Sequence, residues 1–214
     1  MTMRIEDLRQ QLMQQGLHSD HLPTDPFHLF ETWFTQTVST DIAEPGAMSL
    51  ATVDNSGQPW QRMVLLKLFD EKGLVFFTNY SSRKADQIKQ NNKVSLLFPW
   101  QALGRQVKVT GQANKISTAE SLKYFLTRPR GSQIGAWASP QSKVISSRAM
   151  LESKVEEIKE RFQHGNISLP EFWGGYRVTP DSFEFWQARE NRLHDRFLYH
   201  ADENGNWEIN RLAP

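Results

Sequence analysis

The chain has 214 residues, with 25 Lys and Arg against 24 Asp and Glu and no cysteine. Near-neutral charge excludes a nucleic-acid binder driven by bulk charge, leaving only a local basic patch open. The missing cysteines exclude disulfide scaffolds, thiolate metal sites, Fe–S clusters and cysteine nucleophiles. The N-terminus MTMRIEDLRQQLMQQG has no apolar signal core, and no run of about 18 apolar residues follows, so a cytoplasmic protein without a membrane segment is expected.

Residues 4–15 place Ile5, Leu8 and Leu12 at helical spacing, with Gly16 as the stop. The helix is short and polar, and residues 1–19 are read as an arm, free to move, that docks on a single larger domain over 20–214. His18 and His21 lie in a Pro-containing connector and are read as loop histidines; no metal site is expected. Asp25 caps a second helix that has Pro26 at its first position and Phe30, Trp33 and Phe34 on its apolar face. Three strands over 47–53, 59–69 and 73–78 form a meander, separated by the turn sequences DNSGQ and DEKG. A short helix over 82–91 precedes strands over 93–99 and 105–113, the second alternating Val107 and Val109 inward with Lys108 and Thr110 outward. Ser117 and Glu120 form a capping box for a helix that Pro129 ends.

The stretch 131–146 is rich in Ser, Gln and Gly, with Ile134 and Trp137 as candidates for burial. Residues 147–163 have the strongest amphipathic pattern of the chain, with Met150, Leu151, Val155, Ile158 and Phe162 on one face. FWGGYRVTPDSFEFWQ and RLHDRFLYH read as strands, and ENGNW turns into a last strand, WEINRL. Strands at short spacing with irregularly placed helices predict an antiparallel β-barrel with peripheral helices, an α+β chain that is mainly β. Regular βαβ units are lacking, which excludes a doubly wound sheet.

No dinucleotide fingerprint, phosphate-binding lysine loop, HExxH or GxSxG motif occurs. Four other clusters could carry chemistry. Ser82-Arg83-Lys84 opens a helix with two cations, which the helix dipole disfavours unless an anion such as a phosphate sits there; the alternative is that both point to solvent. Arg62 and Lys67 are an odd number of positions apart on one strand, so they address one ligand only across a bulge or bend; otherwise they are strand-end charges reaching water. In Arg192-Leu193-His194-Asp195-Arg196, strand alternation puts Arg192, His194 and Arg196 on one face, facing either an anionic guest or neutralising acids from neighbouring strands, with Trp186 as a wall. Tyr124 and Arg128 share a helix face near Ser132, either ordinary surface or a second phosphate site. Two separate basic and hydroxyl clusters suggest two phosphorylated small molecules.

The runs Arg62–Lys67 (RMVLLK), Phe76–Ala85 (FFTNYSSRKA), Ser95–Trp100 (SLLFPW) and Phe172–Val178 (FWGGYRV), then FWQ and RLHDR in order, resemble the pyridoxamine 5′-phosphate oxidase family from about residue 20 to the terminal RLAP. The resemblance implies an FMN-binding split β-barrel of Greek-key type. It also implies a homodimer with FMN at the subunit interface, oxidising pyridoxamine or pyridoxine 5′-phosphate to pyridoxal 5′-phosphate while O2 becomes H2O2. Carried over residue by residue, flavin contacts fall on Arg62, Met63, Val64, Leu65, Leu66 and Lys67, on Phe77, Thr78, Arg83 and Lys84, and on Gln106, Gln141, Ser142, Trp186 and Arg196. Substrate contacts fall on Lys67, Tyr124, Arg128 and Ser132 around its phosphate, with Arg192 and His194 over its ring as the catalytic pair. The chain departs from the family in having Ala188 where a Gly is frequent. It also has Leu12 where some members carry an arm tyrosine, which leaves the arm no substrate role beyond a contact from Arg9. The competing expectations are a non-catalytic flavin- or haem-binding barrel, which would not need the substrate-side residues, and a nicotinamide-dependent flavin reductase.

Overall fold

Nine strands join in one antiparallel sheet in the computed structural model, which describes residues 4–214. Alternation builds its centre. In β1 (Ala47–Val53), Met48, Leu50 and Thr52 point inward between half-buried neighbours, and β5 (Lys93–Phe98) and β6 (Arg105–Lys115) repeat the pattern. The expected strand over 59–69 is instead two: β2 (Pro59–Leu65) pairs with β1, and β3 (Leu68–Asp70) pairs with β4 (Gly73–Asn79). At the joint the Leu66 N–H donates to Gly46 O at 2.8 Å and the Lys67 N–H to Val75 O at 2.9 Å. The chain is thus handed from one partner strand to another, and Leu66 turns into the core. This corner brings the two ends of the sheet, β2 and β3, together.

β7 (Trp173–Gln187) is the spine. One edge pairs with β6 along its length; the other pairs first with β4 and then with β8 (Asp195–Ala201), which pairs with β9 (Trp207–Leu212). Phe76, Phe98, Phe183, Phe185 and Tyr199 fill the barrel with Phe30 and Trp33 of α2 (Pro26–Val38), whose first N–H groups Asp25 caps as expected. α1 (Ile5–Gln15) docks through Leu12, and Gly16 ends it with φ 64°. α3 (Arg83–Gln90) and α4 (Thr118–Thr127) follow, the latter with the expected capping box.

In the Ser/Gln/Gly-rich stretch Ile134 is buried as expected and Trp137 is half-buried; the stretch is helical over α5 (Arg130–Ala138), where Ile134, Ala136 and Ala138 pack in a second core with Phe125, Ile158 and Trp173. Two expectations fail. α6 (Arg148–Arg161) buries only Ile158; Met150 stays exposed, so its amphipathic pattern overstates its packing. RLHDR is not one strand. Asn191 and Arg192 have φ of 54° and 61°, a tight turn that breaks alternation, and β8 starts only at Asp195. Among the described residues no helix is long and apolar enough to cross a membrane.

Candidate functional site

The seam between the two cores holds a cavity of about 340 Å³. β2 and the corner after it supply Arg62, Met63, Val64, Leu65 and Lys67; β4 and α3 supply Phe77, Thr78 and Lys84; α4 and the α5–α6 loop supply Tyr124, Arg128 and Gln141. The bend is what lets Arg62 and Lys67 face one space. A second cavity of about 240 Å³ shares Arg128, Gln141 and Trp173 and adds Ser132. Phe77, Tyr124 and Trp173 lie nearly parallel, with centroids 3.9 Å apart for Phe77–Tyr124 and 5.3 Å for Phe77–Trp173.

Among the described residues the cations here have no carboxylate partners. Lys84 Nζ donates to Gln141 Oε1 at 2.7 Å, Thr78 Oγ1 at 3.1 Å and Ser82 Oγ at 3.4 Å. Burial, then the nearby Arg62 charge, pulls it down to about 8. Arg62 donates to Thr52 Oγ1 at 2.6 Å, Leu50 O at 3.1 Å and Gln87 Oε1 at 3.2 Å; burial and the Arg83 charge lower its affinity for a proton. Arg128 lies 4.6 Å over the Trp173 ring, lowered by burial, and its Nη1 is buried without a partner. Ser82 makes no side-chain cap on α3, so the first-turn N–H groups of that helix are left without one, and Lys84 of the same turn lines the cavity. Desolvated cations and an orphaned donor favour anionic guests.

A second group lies on the outer face of the sheet. Gln106, Trp186 and Arg196 are successive cross-strand partners on β6, β7 and β8. Arg196 gives Nε and Nη2 to Glu184 Oε1 at 3.2 and 3.0 Å, and Nη1 to Ala213 O at 2.7 Å. Lys108 Nζ meets the other oxygen of Glu184 at 2.6 Å. Burial would raise the Glu184 carboxyl, but these bonds hold it below its ordinary range. The His194 ring lies 4.5 Å from that of Trp186. Arg192 is exposed in the turn, not aligned with His194 and Arg196 on a strand face as alternation implied.

The first cavity's lining therefore holds eleven of the sequence-derived candidates, with Ser132 next door. It does not hold Leu66, which is in the barrel core, nor Arg83, whose guanidinium lies 4.5 Å over Trp60, nor Ser142, exposed at φ 69°. Gln106, Trp186, Arg192, His194 and Arg196 are also outside it. Ala188 is buried with its N–H on Gly104 O at 2.8 Å, and Arg9 lies beside Gly104. Sequence reasoning missed Trp173 and Gln87. The signal for Trp173 was the Gly-Gly after it: a Cβ on Gly174 would fall 2.2 Å from Tyr80 Oη, and one on Gly175 2.5 Å from Ile116 Cδ1, so bare backbone is what lets α4 and Tyr80 close over this wall. Gln87, a buried polar residue inside α3, carried no comparable mark.

Known proteins align with both clusters. A family model described as pyridoxamine 5′-phosphate oxidase matches residues 34–162, and one described as the pyridoxine 5′-phosphate oxidase C-terminal dimerisation region matches 173–214. The pyridoxine/pyridoxamine 5′-phosphate oxidase of Rippkaea orientalis is 59% identical over 99% of this chain and 100% of its own. The protein of that name from Escherichia coli is 56% identical over 99% of this chain and 96% of its own. Among solved structures, PhzG from Burkholderia lata, in complex with tetrahydrophenazine-1-carboxylic acid, superposes with a TM-score of 0.86 at 29% identity, covering 92% of this chain and 98% of that one. A pyridoxamine 5′-phosphate oxidase-related, FMN-binding protein from Nostoc punctiforme shares the fold, with a TM-score of 0.71 at 19% identity over 89% of this chain and 98% of its own.

Proposed function

The chain belongs to the pyridoxamine 5′-phosphate oxidase family, and on that premise we propose that its two clusters are halves of one centre, completed across the interface of a homodimer. The protein is an FMN-dependent oxidase that converts pyridoxamine and pyridoxine 5′-phosphates to pyridoxal 5′-phosphate and reduces O2 to H2O2. Residues 20–214 act as the catalytic domain and 1–19 as its arm.

The observation that carries the placement is the orphaned Nη1 of Arg128 in a cavity it shares with Lys67 and with Arg62 and Lys84, whose hydrogen-bond partners are all neutral. These residues fit two phosphate-bearing guests. Arg83, Lys84 and the uncapped start of α3 would hold the FMN phosphate. Arg128, with Tyr124, Ser132 and Lys67, would hold that of the substrate. FMN, when bound, supplies the acceptor for the two electrons that leave the substrate C4′.

The protein's own part is orientation and charge. Arg128 and its neighbours anchor one end of the substrate, and Arg192 and His194 from the partner subunit clamp its ring, which fixes C4′ against the acceptor. Arg196 and Gln106 approach the flavin from the same side, with Arg196 held rigid by Glu184. The dimeric arrangement is supported by the match of 173–214 to a dimerisation region and by the exposed apolar side chains of Met63, Leu65 and Leu68 beside the cavity.

The test is anaerobic titration of the flavin-loaded protein with pyridoxamine 5′-phosphate. Bleaching of the flavin absorbance, with aldehyde formed in equal amount, is expected. Flavin that stays oxidised until a nicotinamide donor is added would replace this reading with a reductase, and flavin inert to both would leave a store.

A further inference from the structure

One carboxylate ties the turn that carries Arg192 and His194 to the N-terminal arm. Asp195, at the first position of β8, accepts from the Leu17 N–H at 3.0 Å and from Arg211 Nη1 at 2.8 Å, and it faces Arg189 Nε at 3.6 Å. Both arginines reach the arm as well. Arg189 Nη1 donates to Gln14 O in the last turn of α1 at 3.0 Å, and Arg211 Nη2 donates to Leu17 O at 3.2 Å. Gly16 passes between them so closely that a Cβ there would fall 2.0 Å from Arg189 Nη1 and 2.7 Å from Asp195 Oδ2.

The same Arg189 touches the candidate catalytic histidine from its main chain. Its N–H donates to His194 Nδ1 at 3.1 Å. A ring nitrogen that accepts carries no proton, so the proton of the neutral imidazole sits on Nε2. The Trp186 ring lies against that of His194. The tautomer of His194 thus depends on where the Arg189 main chain is held, and the side chain of Arg189 is held by α1 and Asp195.

We propose that Asp195 is a positioning residue: by clamping Arg189 and the Gln14–Leu17 turn together it keeps the Arg189 N–H on His194 Nδ1, so that His194 presents Nε2–H to the substrate as a hydrogen-bond donor. The kinetic consequence rests on the reading of His194 as substrate-facing; the tautomer does not.

The experiment uses the flavin-loaded full chain with 15N-labelled histidine. Wild type is expected to show one His194 tautomer, with Nδ1 unprotonated and Nε2 protonated. Asp195→Asn and Arg189→Ala should both give averaged ring signals. Each should also lower kcat on the order of tenfold, as expected when a reacting group loses its alignment, with flavin content unchanged. The double variant should be no slower than the slower single one, because both remove one device. Gly16→Ala, which crowds the clamp without altering any charge, should give the same ring signature and serves if Asp195→Asn folds poorly. Unchanged His194 signals in these variants, or kinetic losses that add, would overturn the proposal. A wild-type protein that shows the single tautomer yet fails to oxidise the amine would sink the functional reading and leave the clamp standing.

Discussion

The guanidinium of Arg128 lies 4.6 Å above the ring of Trp173, and its Nη1 is buried there with no hydrogen bond. An unpaired buried donor costs about 1–3 kcal/mol, and the same group paired with an anion recovers that and more. Arg128→Leu is therefore expected to leave the ligand-free protein as stable as wild type or more so, read as Tm. It should also raise the KM for the phosphorylated substrate by about 10–100-fold, the worth of a charge-assisted hydrogen bond, with a smaller change in kcat. A defect confined to kcat would remove Arg128 from the phosphate site.

Lys84 gives the pH dependence. Its folded value of about 8 is below the ordinary 10.5, because burial disfavours the charge. A lysine depressed in this way burdens the fold fully below pH 8, and the burden is lifted as pH rises toward 10.5, since the unfolded chain then holds the proton that the folded one has lost. Ligand-free protein should accordingly gain stability from this group over that window. FMN affinity should move the other way, because the phosphate wants the charged form: it weakens above pH 8, approaching about tenfold per pH unit. Lys84→Met should flatten both trends, and a wild-type affinity constant between pH 7 and 10 would refute the assignment.

Arg192 sits exposed in a left-handed turn. Arg192→Met should leave stability within about 0.5 kcal/mol of wild type, as for other exposed positions. Its kcat/KM should nevertheless fall by about a hundredfold or more, as when a positioning contact to the reacting molecule is lost. Unchanged turnover would take Arg192 out of the mechanism.

Met63, 58% exposed, and Leu65 stand on the outer face of β2 next to the cavity. Met63→Asp should place a charge in the proposed subunit contact, giving a monomer by light scattering that no longer retains FMN through gel filtration. A stable, flavin-retaining dimer would move the interface elsewhere.

Much of this architecture was legible where the signal is local. Asp25-Pro26 and Ser117–Glu120 marked helix starts because capping is chemistry between near neighbours. Val107 and Val109 marked an inner face because pleating has period two. What was not legible depended on distant partners. Nothing near Leu66 announces that its N–H will go to Gly46 while that of Lys67 goes to Val75, yet that exchange puts Arg62 and Lys67 into one cavity. The short helix after Pro129 exists because its apolar residues meet Phe125 and Trp173, not because Ser, Gln and Gly favour it. RLHDR alternates in sequence, but Asn191 and Arg192 turn left-handed, so the alternation has no strand to act on. Lys84 was legible as an anion-seeking cation from its place in the first turn of a helix; its depressed proton affinity required knowing how far it is buried.

β7 carries Trp173 at one end and Trp186 at the other, separated by roughly 40 Å of extended chain. If each centre borrows one end from each subunit, two impaired variants are able to repair one another. Co-refolding Arg128→Leu with Arg192→Met would yield hybrids in which one pocket gathers both lesions and the other gathers none. Random pairing makes about half the molecules hybrid, and so restores about a quarter of the wild-type pockets from two impaired parents, read at a substrate concentration too low to saturate Arg128→Leu.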